Sequence, residues 1–145
     1  MKAPWHIWVV GLVTLLWHAG GAYDYLMSGL RAPAYLAMIP EENRAGYVAY
    51  LEAMPVWAVS AWALGVWGSV AGSALILLRS RHAVAAFFIA LFGLVGTTFY
   101  TFAIAPPSPF TAISPATLAF TGAIVLVLLA ALFYSRRQVA AGHLQ

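Results

Sequence analysis

The sequence predicts an all-α integral membrane protein, a four-helix bundle that forms a single transmembrane domain over residues 1–145. Of the 145 residues, 63% are hydrophobic and only 8% are charged, whereas soluble domains carry about 25% charged residues. The mean hydropathy is +0.88, and the uncharged runs are long and continuous, as membrane helices require. These observations exclude a soluble globular domain and a disordered chain. They also exclude nucleic acid as a partner, because seven basic residues with a net charge of +3 form no patch that follows phosphates.

The charged residues divide the chain into its predicted spans. Uncharged runs cover residues 3–23, 53–78 and 82–135, and a helix crosses the hydrocarbon core in about 20 residues. The last run is long enough for two helices, and the four prolines from Pro106 to Pro115 prevent one continuous helix. The four predicted spans are about 6–28, 56–78, 83–105 and 116–135.

The distribution of basic residues predicts that both termini are cytoplasmic. In a four-span bundle, five of the seven basic residues fall at the end that carries the termini. The opposite end has two basic residues and three acids. Short cytoplasmic loops are enriched in Lys and Arg, so the end with the termini and five basic residues faces the cytoplasm. Its basic residues are Lys2, Arg79, Arg81, Arg136 and Arg137.

The first predicted span also has features of a secretory signal. Lys2 precedes an apolar stretch, and the small residues 19–22 resemble a cleavage site. We favour the alternative that this segment is retained as a membrane span.

The connection between spans 1 and 2 contains a predicted amphipathic helix. Pro40 and two acids suit a first helical turn, and the apolar residues from Tyr47 to Met54 recur at helical spacing. We expect this helix to lie on the outer membrane surface. Two roles are open: it caps the bundle and orients span 2, or it forms a lid over a ligand.

Small residues recur at spacings of three and four in spans 2 and 3. In lipid, such faces let helix backbones approach closely and associate through van der Waals contact. We expect a tightly packed bundle with little room for a wide pore. The predicted helix-packing residues are Gly65, Gly68, Ser69, Gly72, Gly93 and Gly96.

His18 lies near the middle of span 1, where an imidazole needs a hydrogen-bond partner. The first interpretation is a neutral histidine that bonds to a neighbouring helix. The alternative is a haem ligand, but the other three histidines fit a ligand pair poorly: His6 and His82 lie near the cytoplasmic span ends and His143 in the tail.

Asp24 is the most informative charged residue, because it follows His18 towards the outer end of the same span. Other polar residues are predicted at that depth on the neighbouring helices. Two interpretations compete: Asp24 fixes the outer end of the bundle by hydrogen bonding, or it belongs to a ligand or proton site. The candidate polar cluster comprises His18, Asp24, Tyr25, Glu52, Thr97, Thr98 and Tyr100.

Enzyme chemistry has little support in the sequence. It contains no metalloprotease, nucleophile-elbow or phosphate-loop motif, and Glu41 and Glu42 are adjacent, so on a helix they point in different directions. The absence of cysteine excludes thiolate metal sites and cysteine nucleophiles. We therefore expect no catalytic residue, no bound metal and no cofactor.

Several segments of the first hundred residues resemble a family of small bacterial inner-membrane proteins. The family consists of uncharacterised four-span proteins of proteobacteria, sometimes labelled "sugar transporter". The resemblance implies location in the inner membrane and four spans. The segments that carry it are Pro4–Gly11, Leu16–His18, Gly21–Met27, Pro55–Trp57, Trp62–Gly68 and Gly96–Tyr100.

The sequence favours a non-enzymatic accessory or scaffold protein of the inner membrane. Its small-residue faces would pack against a second copy of the chain, which forms a homo-oligomer, or against a larger membrane complex. The alternative is a small-solute or proton-linked transporter that acts as an oligomer, since 145 residues are few for a carrier whose site usually lies between two repeats.

Overall fold

The computed structural model describes residues 4–145. Every regular element in that range is helical, which confirms the predicted all-α class. Lys2, which contributes to the charge argument, lies outside the described residues. The elements are α1 (His6–Gly29), α2 (Pro33–Leu36), α3 (Glu41–Ala53), α4 (Val56–Leu77), α5 (Ala83–Phe99), a π-helical turn (Tyr100–Ile104) and α6 (Pro115–Ala140).

Three helices are long and apolar enough to cross a membrane. They are α4, α5 together with its π-helical turn, and α6. Helix α1 has 24 residues, which is sufficient length, but its polar residues, including His18 and Asp24, lower its mean hydropathy. The fourth span and the orientation of the termini therefore stay predictions.

Helices α4 and α5 form the most extensive contact in the bundle, and glycines make it possible. A Cβ atom on Gly93 would collide with the backbone of α4 at Gly65 N and Ala61 O. A Cβ atom on Gly68 would lie 3.0 Å from Ala90 N. The two backbones thus approach to a distance that only glycine permits.

The same helix pair is tight along its whole length. A Cβ atom on Gly72 would lie 2.7 Å from the ring of Phe87, and one on Gly96 would lie 3.0 Å from the Ala61 Cβ. Helix α1 also packs on α4, where Gly11 lies against Leu77 and Ile76. The small-residue face of α4 is therefore used for contacts within the chain.

Helix α6 packs mainly on α5 and touches α1 and α4 at only a few points. Its second half contributes Leu128, Ala131 and Leu132 to the main core, where they meet Phe87 of α5. Large apolar residues of its first half are exposed, among them Phe120. The helix is thus firmly attached at one end only.

Helix α6 continues to Ala140, beyond the predicted boundary at residue 135. The charged residues at 136 and 137 do not end it, because a helix can extend past the hydrocarbon into the polar interface. The chain then reverses at Gly142, which has a positive φ of 72°. Leu144 is 2% exposed, and the backbone N–H of Gln145 donates to Arg79 O at 2.8 Å, so the tail is held against the α4–α5 loop.

The prolines separate α5 from α6 as predicted, but the way α5 ends was not predicted. Its last turn widens into a π-helix, in which the Ala105 N–H donates to Tyr100 O at 2.8 Å. Pro106 and Pro107 follow and cannot donate backbone hydrogen bonds. Helix α6 then begins at Pro115, and the Ser114 hydroxyl caps it by accepting from the Thr117 N–H at 3.1 Å.

The predicted amphipathic helix is present as α3, and it covers the end of the bundle where α1 ends and α4 begins. Its Tyr47 ring lies 4.7 Å from that of Phe110, and its Tyr50 ring lies 6.0 Å from that of Tyr100. Glu42 on the opposite side is exposed. We call this the acidic end of the bundle, because Asp24, Glu41, Glu42 and Glu52 are found there; the end with Arg79, Arg81, Arg136 and Arg137 is the basic end.

Candidate functional site

A cavity of ≈ 540 Å³ lies among α1, α4, α5 and α6, in the half of the bundle nearer the acidic end. Small-molecule sites typically measure about 300–1,000 Å³, so this space suits a solute of modest size. Its walls combine aromatic rings with hydroxyl groups. The aromatic lining residues are Trp17, Trp62, Phe102 and Phe120, and the polar ones are His18, Asp24, Ser69, Thr97, Thr98, Thr101 and Thr121.

The cavity exists because α1 carries two glycines at this level and α6 stands away from α1. Gly20 and Gly21 both line the cavity, and a Cβ atom on either would have no other atom within 4 Å. Glycines in membrane helices often mark a close contact between two helices. These two instead border the open space, since no helix backbone approaches them.

His18 joins α1 to α4 through a buried hydrogen bond. The residue is 8% exposed, and its Nδ1 lies 2.9 Å from the Ser73 hydroxyl. That hydroxyl donates its single hydrogen to Ser69 O at 3.0 Å, so the imidazole donates through Nδ1. In the neutral imidazole, Nε2 then carries the lone pair, and it has no hydrogen-bond partner within residues 4–145.

Asp24 is held by one donor from its own helix and one from α2. Its Oδ1 accepts hydrogen bonds from the hydroxyls of Tyr35 and Ser28, the latter at 3.4 Å. Because Ser28 uses its hydrogen for Asp24, the Tyr47 hydroxyl donates to Ser28 at 2.7 Å. Asp24 therefore connects α1 to α2 directly and to α3 through Ser28. Within residues 4–145 its Oδ2 has no hydrogen-bond partner, and the residue lines the cavity.

The tyrosines above the cavity remain neutral donors at physiological pH. Burial and the hydrogen bond to Asp24 raise the pKa of Tyr35. Burial also raises the pKa of Tyr47 and of Tyr50. Tyr50 reaches the cavity wall through a 2.9 Å hydrogen bond to the Thr101 hydroxyl, so α3 is attached directly to the rim.

The structure brings together four of the seven residues of the predicted polar cluster. His18, Asp24, Thr97 and Thr98 all line the cavity, although the spacing of His18 and Asp24 along α1 puts them on different faces of that helix. Both faces border the cavity because it is wide enough to cover more than one stripe of the helix.

The other three residues of that cluster lie elsewhere. Tyr25 packs edge-on against Trp62, with ring centres 4.9 Å apart. Tyr100 is 2% exposed and lies under α3, and its hydroxyl has no hydrogen-bond partner within residues 4–145. Glu52 is exposed on α3, because it lies on the polar face of that helix and not on the face that meets the bundle.

The charges around the cavity indicate what it can accept. Among the residues that the structure describes, no Lys or Arg lines it, and Asp24 is its only acidic residue. An anion would meet no cationic partner and would lie near a carboxylate, whereas a cation would meet Asp24 and aromatic rings. Neutral solutes with hydroxyl groups would find threonine hydroxyls and His18.

Metal and cofactor sites have no clear support in the described part of the chain. Across residues 4–145 there is no group of three His, Asp or Glu side chains placed to hold a metal ion. His6 bonds to the Tyr134 hydroxyl at 2.6 Å, and His143 bonds to Gln138 at 2.8 Å. The expectation of no metal and no cofactor stays a prediction.

Sequence reasoning missed four residues that shape this site. Ser73 supplies the partner of His18, Tyr35 supplies a donor to Asp24, and Thr101 and Thr121 line the cavity. Thr101 follows Thr97 by one helical turn, so the spacing offered a signal for it. The other three depend on which helix faces which, a property that one span cannot reveal.

The comparisons with known proteins found no matching family model, no matching curated protein and no matching solved structure.

Proposed function

We propose that this protein is a four-span protein of the bacterial inner membrane, with α1 as the fourth span and both termini in the cytoplasm. The length of α1 and its contact along α4 support this proposal. The separation of charges supports it too, since basic residues collect in the α4–α5 loop and the last turns of α6, and acids collect at the opposite end.

Reporter fusions test this topology. A cytoplasmic reporter fused after Gln145 should be active, and a periplasmic reporter inserted between α2 and α3 should be active too. A periplasmic reporter that is active after Gln145 would contradict both the span number and the orientation.

Within this topology, we propose that the protein binds a small neutral or cationic solute in the cavity as a step of transport, without catalysis. The cavity itself carries this proposal: hydroxyl groups from α4, α5 and α6 interrupt its mainly apolar lining, it lies among all four long helices, and the carboxylate of Asp24 and the imidazole of His18 also line it. Ionisable groups at such depth in membrane proteins often mark a substrate or proton path.

Three aromatic probes of nearly the same shape test the proposed charge preference. Benzylammonium, benzyl alcohol and benzoate differ mainly in charge. Binding can be followed by the change in tryptophan fluorescence, because two of the six tryptophans, Trp17 and Trp62, line the cavity. We expect benzylammonium to bind most tightly and benzoate not to bind. Asp24→Asn should remove the difference between the cation and the alcohol, because asparagine keeps hydrogen-bonding capacity but not the charge. Equal binding of benzoate would contradict the proposal.

A pair of glycine variants tests the location of binding. Neither Gly20 nor Gly122 has an atom within 4 Å of an added Cβ, so a side chain can leave the backbone at both without an immediate collision, but only Gly20 lines the cavity. Gly20→Phe should abolish probe binding and Gly122→Phe should preserve it. Uptake of labelled benzylammonium into protein-containing vesicles then distinguishes transport from binding alone.

The second candidate function is the accessory or scaffold role in a homo-oligomer or larger membrane complex. The observation that favours it is the loose attachment of α6, whose first half exposes Leu118, Phe120 and Leu126 to lipid or to a neighbouring protein. The small residues of α4, on which that role was first based, are engaged by α5. Mass measurement after gentle extraction tests it: a stable complex combined with no solute binding would favour the scaffold role over transport.

A further inference from the structure

A second concave surface lies at the basic end, between the first turns of α5 and the last turns of α6. It is a groove of ≈ 570 Å³, and it is remote from the cavity described above. Its polar lining residues are Arg81, His82 and Arg136, and its apolar lining includes Val84, Phe88 and Val139. The groove thus has cations at its mouth and an apolar floor.

The charges at this groove are unneutralised by acidic side chains. No Asp or Glu lines it, and the four acids of the chain all lie at the acidic end. Within residues 4–145, the guanidinium groups of Arg81 and Arg136 form no side-chain hydrogen bond. They are therefore available to an anion, and two such groups can form charge-assisted hydrogen bonds to phosphate oxygens.

The position of Arg81 is fixed by the tail of the chain. Its backbone N–H donates to Gln145 O at 3.0 Å, and the neighbouring Arg79 donates through Nε to His143 O at 3.2 Å. A loop held in this way loses less freedom when its side chain binds a ligand.

The floor of the groove continues into the part of the bundle that meets lipid. Phe88 is 48% exposed and lies five residues into α5, which corresponds to about 7 Å along the helix. Val84 and Val139 are half-buried and pack against the main core. An apolar chain can lie along this surface while a charged head group remains at the level of the arginines.

We propose that this groove binds an anionic phospholipid, with the phosphate between Arg81 and Arg136 and one acyl chain along Phe88. Charge complementarity selects an anionic head group, and the apolar floor selects a lipid over a free phosphate. Anionic lipids of cytoplasmic leaflets attract basic residues near helix ends by the same electrostatic interaction. The proposal depends on the membrane location given above and is independent of what the cavity binds.

The adjacent arginines of α6 provide a matched test. Arg136 lines the groove, whereas Arg137 does not; both are exposed, and replacing either by Gln changes the net charge equally. Binding of dioleoylphosphatidylglycerol to the full chain in neutral detergent is measured by native mass spectrometry, with dioleoylphosphatidylcholine as the lipid without net charge.

We expect Arg136→Gln to weaken phosphatidylglycerol binding about fivefold, with a smaller effect from Arg137→Gln and preferential binding over phosphatidylcholine in the unmodified chain. Equal weakening by the two variants would indicate general attraction to the basic end and overturn the proposed site. Phe88→Ser removes the proposed contact with the acyl chain and should also weaken binding. The variant should still fold, because this exposed side chain is not part of the core.

Competition with inorganic phosphate tests whether the groove binds a free phosphate ion and not a phospholipid. Millimolar inorganic phosphate should not displace phosphatidylglycerol; complete displacement, with no effect of Phe88→Ser, would identify a phosphate site and overturn the lipid assignment. These measurements do not report on the cavity, so their failure is distinguishable from failure of solute binding. Failure of the membrane location would appear separately in cell fractionation.

Discussion

The contact between α4 and α5 makes Gly93→Ala the most informative single substitution for stability. An alanine Cβ would lie 2.9 Å from Gly65 Cα and closer still to Gly65 N and Ala61 O, whereas non-bonded carbon atoms prefer about 3.5–4.0 Å. All three obstructing atoms belong to the backbone, so no side-chain rotation relieves the collision. The two helices have to separate.

The cost of that separation can be estimated. Overpacking typically costs about 1–3 kcal/mol, and the better helix propensity of alanine returns at most about 1 kcal/mol at an unobstructed position. With that full gain subtracted, and at about 3 °C per kcal/mol for a chain of this size, Gly93→Ala should lower Tm in detergent by up to about 6 °C. Tryptophan fluorescence during heating measures this shift.

Two further glycines complete the series. Gly68→Ala would bring a Cβ to 3.0–3.1 Å from backbone and side-chain atoms of α5, a milder collision, so its Tm should fall less. Gly122→Ala meets nothing within 4 Å and should leave Tm unchanged or raise it slightly. If Gly93→Ala melts no lower than Gly122→Ala, the proposed backbone contact between α4 and α5 is refuted.

Three other substitutions test the hydrogen bonds and the tail by the same Tm measurement. Tyr35→Phe removes a donor to Asp24 and should cost about 1 kcal/mol of stability. An unchanged Tm would mean that water replaces this hydrogen bond. Ser73→Ala leaves the imidazole of His18 without its partner and should cost about 1–3 kcal/mol; an unchanged Tm would contradict the link between α1 and α4. Leu144→Ala truncates a buried side chain of the tail and should cost about 2–5 kcal/mol, and a neutral result would show that the tail is not docked.

Each of these substitutions has a control of the same chemistry. Tyr23 is exposed, Ser60 bonds only to the backbone of its own helix at an exposed position, and Leu78 is 75% exposed. Tyr23→Phe, Ser60→Ala and Leu78→Ala should each change stability by less than about 0.5 kcal/mol, as surface substitutions usually do.

The sequence by itself determined the helical class, the approximate bounds of the long helices and the presence of α3. These properties follow from local composition, because continuous apolar runs in lipid satisfy their backbone as helices, and the prolines that follow α5 prevent one helix from continuing into α6. The small residues at 65, 68 and 72 likewise marked a face of α4 suited to close approach. Their spacing did not say whether the partner would be α5 or another chain.

Only the tertiary structure decided which residues meet. The pairing of His18 with Ser73, the bond from Tyr35 to Asp24 and the docking of Leu144 join segments distant in sequence, and each depends on how neighbouring helices are rotated about their axes. The cavity has the same origin: Gly20 was equally compatible with a tight contact, and it borders open space because α6 is attached to the bundle at its other end. Helix formation is a local property of the chain, whereas the rotation and separation of helices are set by the packing of all their side chains together.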